Sequence, residues 1–156
     1  MKKFFIALSC FIVCAGSLKA QSNFDSQEYK TSLGVKFYPG AITGKHFLND
    51  KAAVEGLLYF NSYTTRITGL YEAHYDIQNA PGLKWYVGAG AHLGLYQHKY
   101  GGGAAIGIDG ILGLDYKIKG APLNLSLDWQ PAFEFGNRYG NGFSGNWGGL
   151  SVRYVF

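Results

Sequence analysis

The sequence predicts an all-β fold, an eight-stranded antiparallel up-and-down transmembrane β-barrel. Three observations predict it. Apolar and polar residues alternate with a period of two over most of the chain. Clusters of Gly, Pro and Asn break that alternation at hairpin spacing. Charged residues keep to one face of the alternating runs, and the other face is rich in Leu, Ile and large aromatics. A lipid-facing charge at mid-membrane costs about 2–4 kcal/mol, so a barrel in lipid is expected to exclude charges from its outer face.

The chain has 156 residues and a formal net charge of +4. Residues 1–20 are expected to be a cleaved signal peptide: basic Met1-Lys2-Lys3, an apolar stretch from Phe4 to Val13, then small residues. The apolar stretch is too short to span a bilayer as a helix. Cleavage after Ala20 leaves Gln21 first, and cleavage after Ser17 is the alternative. Both cysteines, Cys10 and Cys14, lie in this segment, and neither sits in a good lipidation motif. The mature chain is therefore expected to hold no disulfide and no Cys-based metal site. Without Lys2, Lys3 and Lys19, eleven basic residues face ten acidic ones, which leaves no basic stripe for nucleic acid. A short periplasmic segment is expected at 21–27 and the barrel at 28–156, with no second domain. Mean hydropathy near zero suits strands that alternate apolar with polar.

Strands are expected at 28–38, 41–48, 52–62, 64–77, 83–97, 104–118, 122–136 and 146–156. The first places Lys30 and Lys36 on its polar face. The second is poorly patterned, and Lys45 and His46 stay unassigned. The third carries Glu55 on its polar face. The boundary between third and fourth, near residue 63, has only Asn61-Ser62 to mark it. The fourth sets Ile67, Tyr71, Tyr75 and Ile77 against Arg66, Thr68, Glu72, His74 and Asp76. The fifth sets Leu83, Trp85, Val87, Leu93 and Leu95 against Lys84, Tyr86, His92 and Tyr96. The sixth sets Ile106, Ile108, Leu112, Leu114, Tyr116 and Ile118 against Asp109, Asp115 and Lys117. The seventh is clearest: Leu123, Leu125, Leu127, Trp129, Pro131, Phe133 and Phe135 against Asn124, Ser126, Asp128, Gln130, Ala132 and Glu134.

The eighth strand sets Leu150, Val152, Tyr154 and Phe156 against Ser151, Arg153 and Val155. In water such an apolar edge invites aggregation. A barrel closed in lipid has no edge. The segment resembles the C-terminal assembly signal of bacterial outer-membrane β-barrels, a terminal Phe preceded by alternating apolar residues. The family pattern favours Gly where Ser151 stands. Over nearly its whole mature length the chain resembles the small OmpA/OmpX-like outer-membrane barrels. The resemblance implies a place in the outer membrane of a Gram-negative bacterium. It also implies contact with outer-membrane lipids, and recognition of Leu150, Val152, Tyr154 and Phe156 by the barrel-assembly machinery.

With both termini periplasmic, two aromatic girdles are expected. Tyr75, Trp85, Tyr116, Tyr154 and Phe156 fall near one interface, and Phe37, Phe60, Phe133 and Phe135 near the other. Trp129 falls between them. The opposite arrangement, a soluble lipocalin- or avidin-type barrel with apolar residues inside, is the alternative. The abundance of Leu, Ile and aromatics on one face weighs against it. So do the glycines on the other face, Gly88, Gly90, Gly94, Gly107 and Gly113.

An eight-stranded barrel leaves just enough interior for side chains to fill. The expected lumen network is Lys36, Glu55, Arg66, Glu72, Asp76, Lys84, His92, Asp109, Asp115, Lys117, Asp128, Glu134 and Arg153, with Lys30 and His74 on the same face. Buried charges need partners, and near balance supplies them. Two pairs are expected across strands, Asp76 with Lys84 and His92 with Asp109. The reading is a closed, polar lumen and a structural or surface-interaction role. One alternative is a transport barrel for a small ligand or lipid, similar to OmpW. Another is an outer-membrane lipid-modifying enzyme, although no His-x-Ser motif occurs and Ser126 and Ser151 face inward. No catalytic residue, metal ligand or cofactor site is expected. A surface ligand is expected, if anywhere, at the loops 98–103 and 137–145, where His98, Tyr100, Arg138 and Phe143 stand among Gly and Asn.

Overall fold

A computed structural model describes residues 29–62, 64–96, 103–136 and 141–156. The expected leader and the segment 21–27 lie outside them. Ten strand segments follow in order: β1 (Thr31–Phe37), β2 (Ala41–Phe47), β3 (Ala52–Phe60), β4 (Thr64–Asp76), β5 (Leu83–Tyr96), β6 (Gly103–Lys117), β7 (Leu123–Trp129), β8 (Ala132–Gly136), β9 (Gly142–Ser144) and β10 (Gly148–Val155). All pairings are antiparallel, and β1 pairs with β10, so the sheet closes on itself. The ten segments make eight staves, because β7 with β8, and β9 with β10, are each one strand with an interruption.

The first interruption is chemical. Leu112 faces Trp129 and Asp109 faces Ala132, so β7 and β8 keep one register along β6. Between them Pro131 has no N–H to give the ladder. Its carbonyl still accepts from the Gly110 N–H at 2.8 Å. Alternation runs straight through: Trp129 is exposed, Gln130 buried, Ala132 buried and Phe133 exposed.

The second interruption is a bulge. Trp129 faces Gly148, but Ala132 faces Ser144, so residues 145–147 oppose only 130–131. One extra residue flips the parity of the stave. Phe143, before it, points outward and is 70 % exposed. Trp147, after it, packs inward on Tyr59, ring centroids 4.9 Å apart. This corrects the sequence reading, which began the strand at 146 and counted 137–145 as loop. Residues 142–144 are strand. The glycines at 140, 142, 145, 148 and 149 leave too few side chains for a period to be visible. The bulge also serves Trp129, whose outward indole N–H donates to the Gly145 carbonyl at 2.9 Å.

The two faces have opposite chemistry. Leu33, Val35, Ile67, Ile106, Ile108, Leu112, Leu127 and Leu150 are among the large apolar side chains exposed on the outside. Lys36, Lys45, Arg66 and Arg153 are about 1 % exposed or less. Charges inside and hydrocarbon outside is the reverse of a barrel built for water. Aromatic neighbours cluster on the outer surface: Tyr75 stacks on Trp85 at 4.5 Å, Phe133 meets Phe135 at 5.1 Å and Tyr154 meets Phe156 at 5.1 Å. The end of the barrel where β1 starts and β10 finishes is the terminal end. The other is the loop end.

Inward glycines make the barrel narrow enough to fill. A Cβ on Gly113 would come within 2.7 Å of the Tyr86 ring and of the Asp128 Cβ. Glycine there admits the Tyr86 ring to the lumen.

Candidate functional site: the filled lumen

The lumen holds two clusters of ion pairs with an apolar layer between them. The terminal-end cluster is built on Lys45 and Arg153. Lys45 Nζ lies 2.8 Å from Glu72, 3.3 Å from Glu55 and 3.6 Å from Asp115. Its ammonium also sits 4.1 Å from the centre of the Tyr86 ring. Arg153 pairs with Glu55 and donates to Asn124 at 3.1 Å, Ser126 at 2.8 Å and Thr43 at 3.1 Å. Thr43 in turn donates to Glu55. Asp115 accepts from the Tyr29 hydroxyl at 3.0 Å and from Asn124 at 2.8 Å. His74 Nε2 lies 3.0 Å from Glu72, and its ring stacks on Tyr86.

The loop-end cluster is built on Arg66. It pairs with Asp109, and with Glu134 at 3.2 Å. The Trp147 ring, brought inward by the bulge, lies 4.1 Å from the guanidinium. Asp109 also takes the His92 imidazole at 2.7 Å and the Gln130 amide at 3.0 Å. Glu134 accepts from the Tyr96 hydroxyl at 2.9 Å. Between the clusters, Lys36 pairs with Asp128 at 2.7 Å, and the Tyr86 hydroxyl donates to the same carboxylate at 3.0 Å. The apolar layer is Ala41, Leu57, Tyr59, Leu70, Tyr86 and Ile111, with Trp147 packed on it.

Several sequence expectations need correcting. Asp76 is not in the lumen: its side chain is 77 % exposed, because it ends β4 at the terminal rim. It faces Lys84 in the ladder, 3.5 Å away, as a rim pair. Lys84 is itself at the rim, 15 % exposed, reaching the Asp50 carbonyl at 3.3 Å. Lys30 is exposed before β1. Lys117 is buried but turns to the Ile118 and Ala121 carbonyls, closing the turn beneath it. Lys45, which the pattern left unassigned, is the hub of the terminal-end cluster. The alternation of β2 is hidden because Phe47 points inward and Gly44 and His46 outward. His92 and Asp109 meet, yet they are not directly opposed: His92 faces Gly107 and Asp109 faces Gly90, so the contact is diagonal. The lumen is also less polar than expected, since Leu57, Leu70 and Ile111 point into it. Of the two loops named above, residues 98–102 and 137–140 lie outside the described residues.

A closed eight-stranded antiparallel barrel, apolar outside and filled by paired charges, defines the class of fold. The chain is similar to the crystal structure of the N-terminal β-barrel domain of Pseudomonas aeruginosa OprF, with a TM-score of 0.56 and 17 % sequence identity. The match covers 83 % of this chain and 100 % of that one. No family model and no curated protein matches the sequence. The shared feature is the architecture of the barrel.

Proposed function

We propose that this protein is an outer-membrane β-barrel with a closed lumen, exported by its leader and acting as a structural or surface-interaction protein. The observation that carries the reading is what fills the lumen. The largest fully buried side chains are Arg66, Arg153, Tyr59, Tyr86, Lys36 and Lys45, and all of them point inward. Four of them are long cations, and each has a carboxylate partner. A conducting pore needs the opposite, a hydrated path flanked by charge. The lipid-facing exterior, without a charged side chain on the outward face of any described strand, supports the membrane location. The OprF barrel adds support through its fold.

The test is electrical. Purified protein folded in detergent and added to planar lipid bilayers is expected to give no stable single-channel steps. Regular, long-lived steps would overturn the closed lumen. The transport alternative finds support in the apolar layer of Leu57, Leu70 and Ile111, but ion-pair clusters cap that layer on both sides.

A further inference from the structure

Three glycines face outward side by side in the middle of their strands. Gly44 on β2 is opposite Gly56 on β3, and Gly56 is opposite Gly69 on β4. A glycine inside a strand weakens it, and it commonly marks a bulge, a bend or the close approach of a ligand. No bulge lies here, for the register is unbroken through all three. None has a positive φ that would demand glycine. Nor does packing demand it. A Cβ on Gly56 or Gly69 would meet nothing within 4 Å, and one on Gly44 would make an ordinary 3.5 Å contact with Leu33. The inward glycines differ, because a Cβ on Gly34, Gly88 or Gly90 would run into the neighbouring strand's backbone.

What the missing side chains create is a groove of 740 Å³ in the outer wall, with Leu33, Val54, Tyr71, Ala89 and Phe156 around the glycines. The groove climbs. Gly44 lies three residues before the terminal end of β2, Gly56 four after that of β3 and Gly69 seven before that of β4. Strands tilted by about 35–45° produce such a rise.

Its low end is polar. Thr31 and His46 face each other on the outer wall and line the groove, with Thr31 Oγ1 and His46 Nδ1 2.8 Å apart. In the tautomer whose Nδ1 accepts from the hydroxyl, the ring proton is on Nε2, which is then a donor. Lys30, which is exposed, immediately precedes Thr31 in the chain. His46 is an ionisable side chain on the outward face of β2. Ionisable groups placed against lipid are costly and mark function.

We propose that this wall holds one glycerophospholipid, an acyl chain lying along Gly44, Gly56 and Gly69 and the phosphate on His46. This rests on the reading of the chain as a membrane barrel. The apolar groove takes a hydrocarbon chain, and the imidazole at its low end takes an anion through an N–H. A second copy of the chain would press a convex apolar wall against the groove and bring no anion to His46.

The experiment uses full-length protein, processed and extracted from membranes in detergent, with native mass spectrometry after adding dioleoyl phosphatidylglycerol or the neutral dioleoylglycerol. The phosphatidylglycerol is expected to remain bound, one per barrel, and dioleoylglycerol to be lost. Gly56→Leu/Gly69→Leu is expected to reduce retention by about tenfold or more. His46→Gln is expected to abolish the preference for the phosphorylated lipid. Ala104→Leu, an added outward side chain on β6 outside the groove, is the control and is expected to change nothing. All variants are first checked for a shift in gel migration on boiling. If wild-type protein shows no shift, the barrel reading fails before the lipid is in question. Equal retention by the shifted wild-type and groove-filled proteins would overturn the proposal. So would a protein dimer that the groove-filling variant dissolves.

Discussion

At the scale of single residues, Arg153 has the most to do. It is fully buried and reaches Glu55, Thr43, Asn124 and Ser126, so it ties together β10, β3, β2 and β7. Removing one partner of a buried pair strands the other charge, at about 3–5 kcal/mol. Arg153→Met is therefore expected to lower the stability of the folded protein in lipid vesicles by about that amount, read from urea unfolding. The double variant Arg153→Met/Glu55→Gln is expected to recover part of the loss, because the buried Glu55 carboxylate, left with Lys45 at 3.3 Å, is gone. A double variant no more stable than the single one would mean that Arg153 acts by packing alone. Lys45 teaches a related lesson. Nothing in its own strand assigned it inward, since β2 places Gly44 and His46 where apolar residues would have revealed the pattern.

At the scale of elements, the β1–β10 seam closes the barrel and depends on close approach. Leu33 faces Tyr154, Gly34 faces Arg153 and Val35 faces Val152. A Cβ on Gly34 would collide with the Val152 carbonyl and the Arg153 Cα. Gly34→Val is expected to prevent closure, so that the unboiled protein migrates with the boiled one on a gel. A normally shifted band would show that the seam can move aside. Phe156 sits just past β10, its N–H donating to Thr31 at 2.8 Å and its ring beside Tyr154. Losing one aromatic contact with lipid costs about 1.5–3 kcal/mol. By the resemblance to assembly signals, deleting Phe156 is expected to reduce the amount assembled in cells far more than it reduces stability after refolding. Normal assembly of the deletion in cells would reduce Phe156 to ordinary lipid-facing packing.

At the scale of the whole molecule, the exterior and the lumen make one joint prediction. Wild-type protein folded in detergent is expected to migrate differently in SDS before and after boiling. A mature chain that stays soluble and monomeric with no detergent would sink the membrane reading. The prediction rests on the exposed apolar side chains of the outer face, Leu33, Ile67, Ile108, Leu127 and Leu150 among them.

The sequence by itself determined the number of staves, their antiparallel order and which face of most strands is charged. Those follow from a period-two pattern and from turn residues, both local properties of the chain. Strand seven was legible even through Pro131, because a missing N–H breaks a hydrogen bond without breaking alternation. The tertiary structure alone decided the rest. It placed Lys45 among Glu55, Glu72 and Asp115, since those neighbours come from β3, β4 and β6. It set His92 diagonally against Asp109, since the register of β5 on β6 decides who is opposite. It put the bulge at 145–147, which turned Trp147 inward over Arg66 while Phe143 stayed outside. And it lined up Gly44, Gly56 and Gly69, which are far apart in the chain and share a row only through pairing. Alternation tells which side a residue takes. Register tells what it meets there, and register is fixed only when the sheet closes.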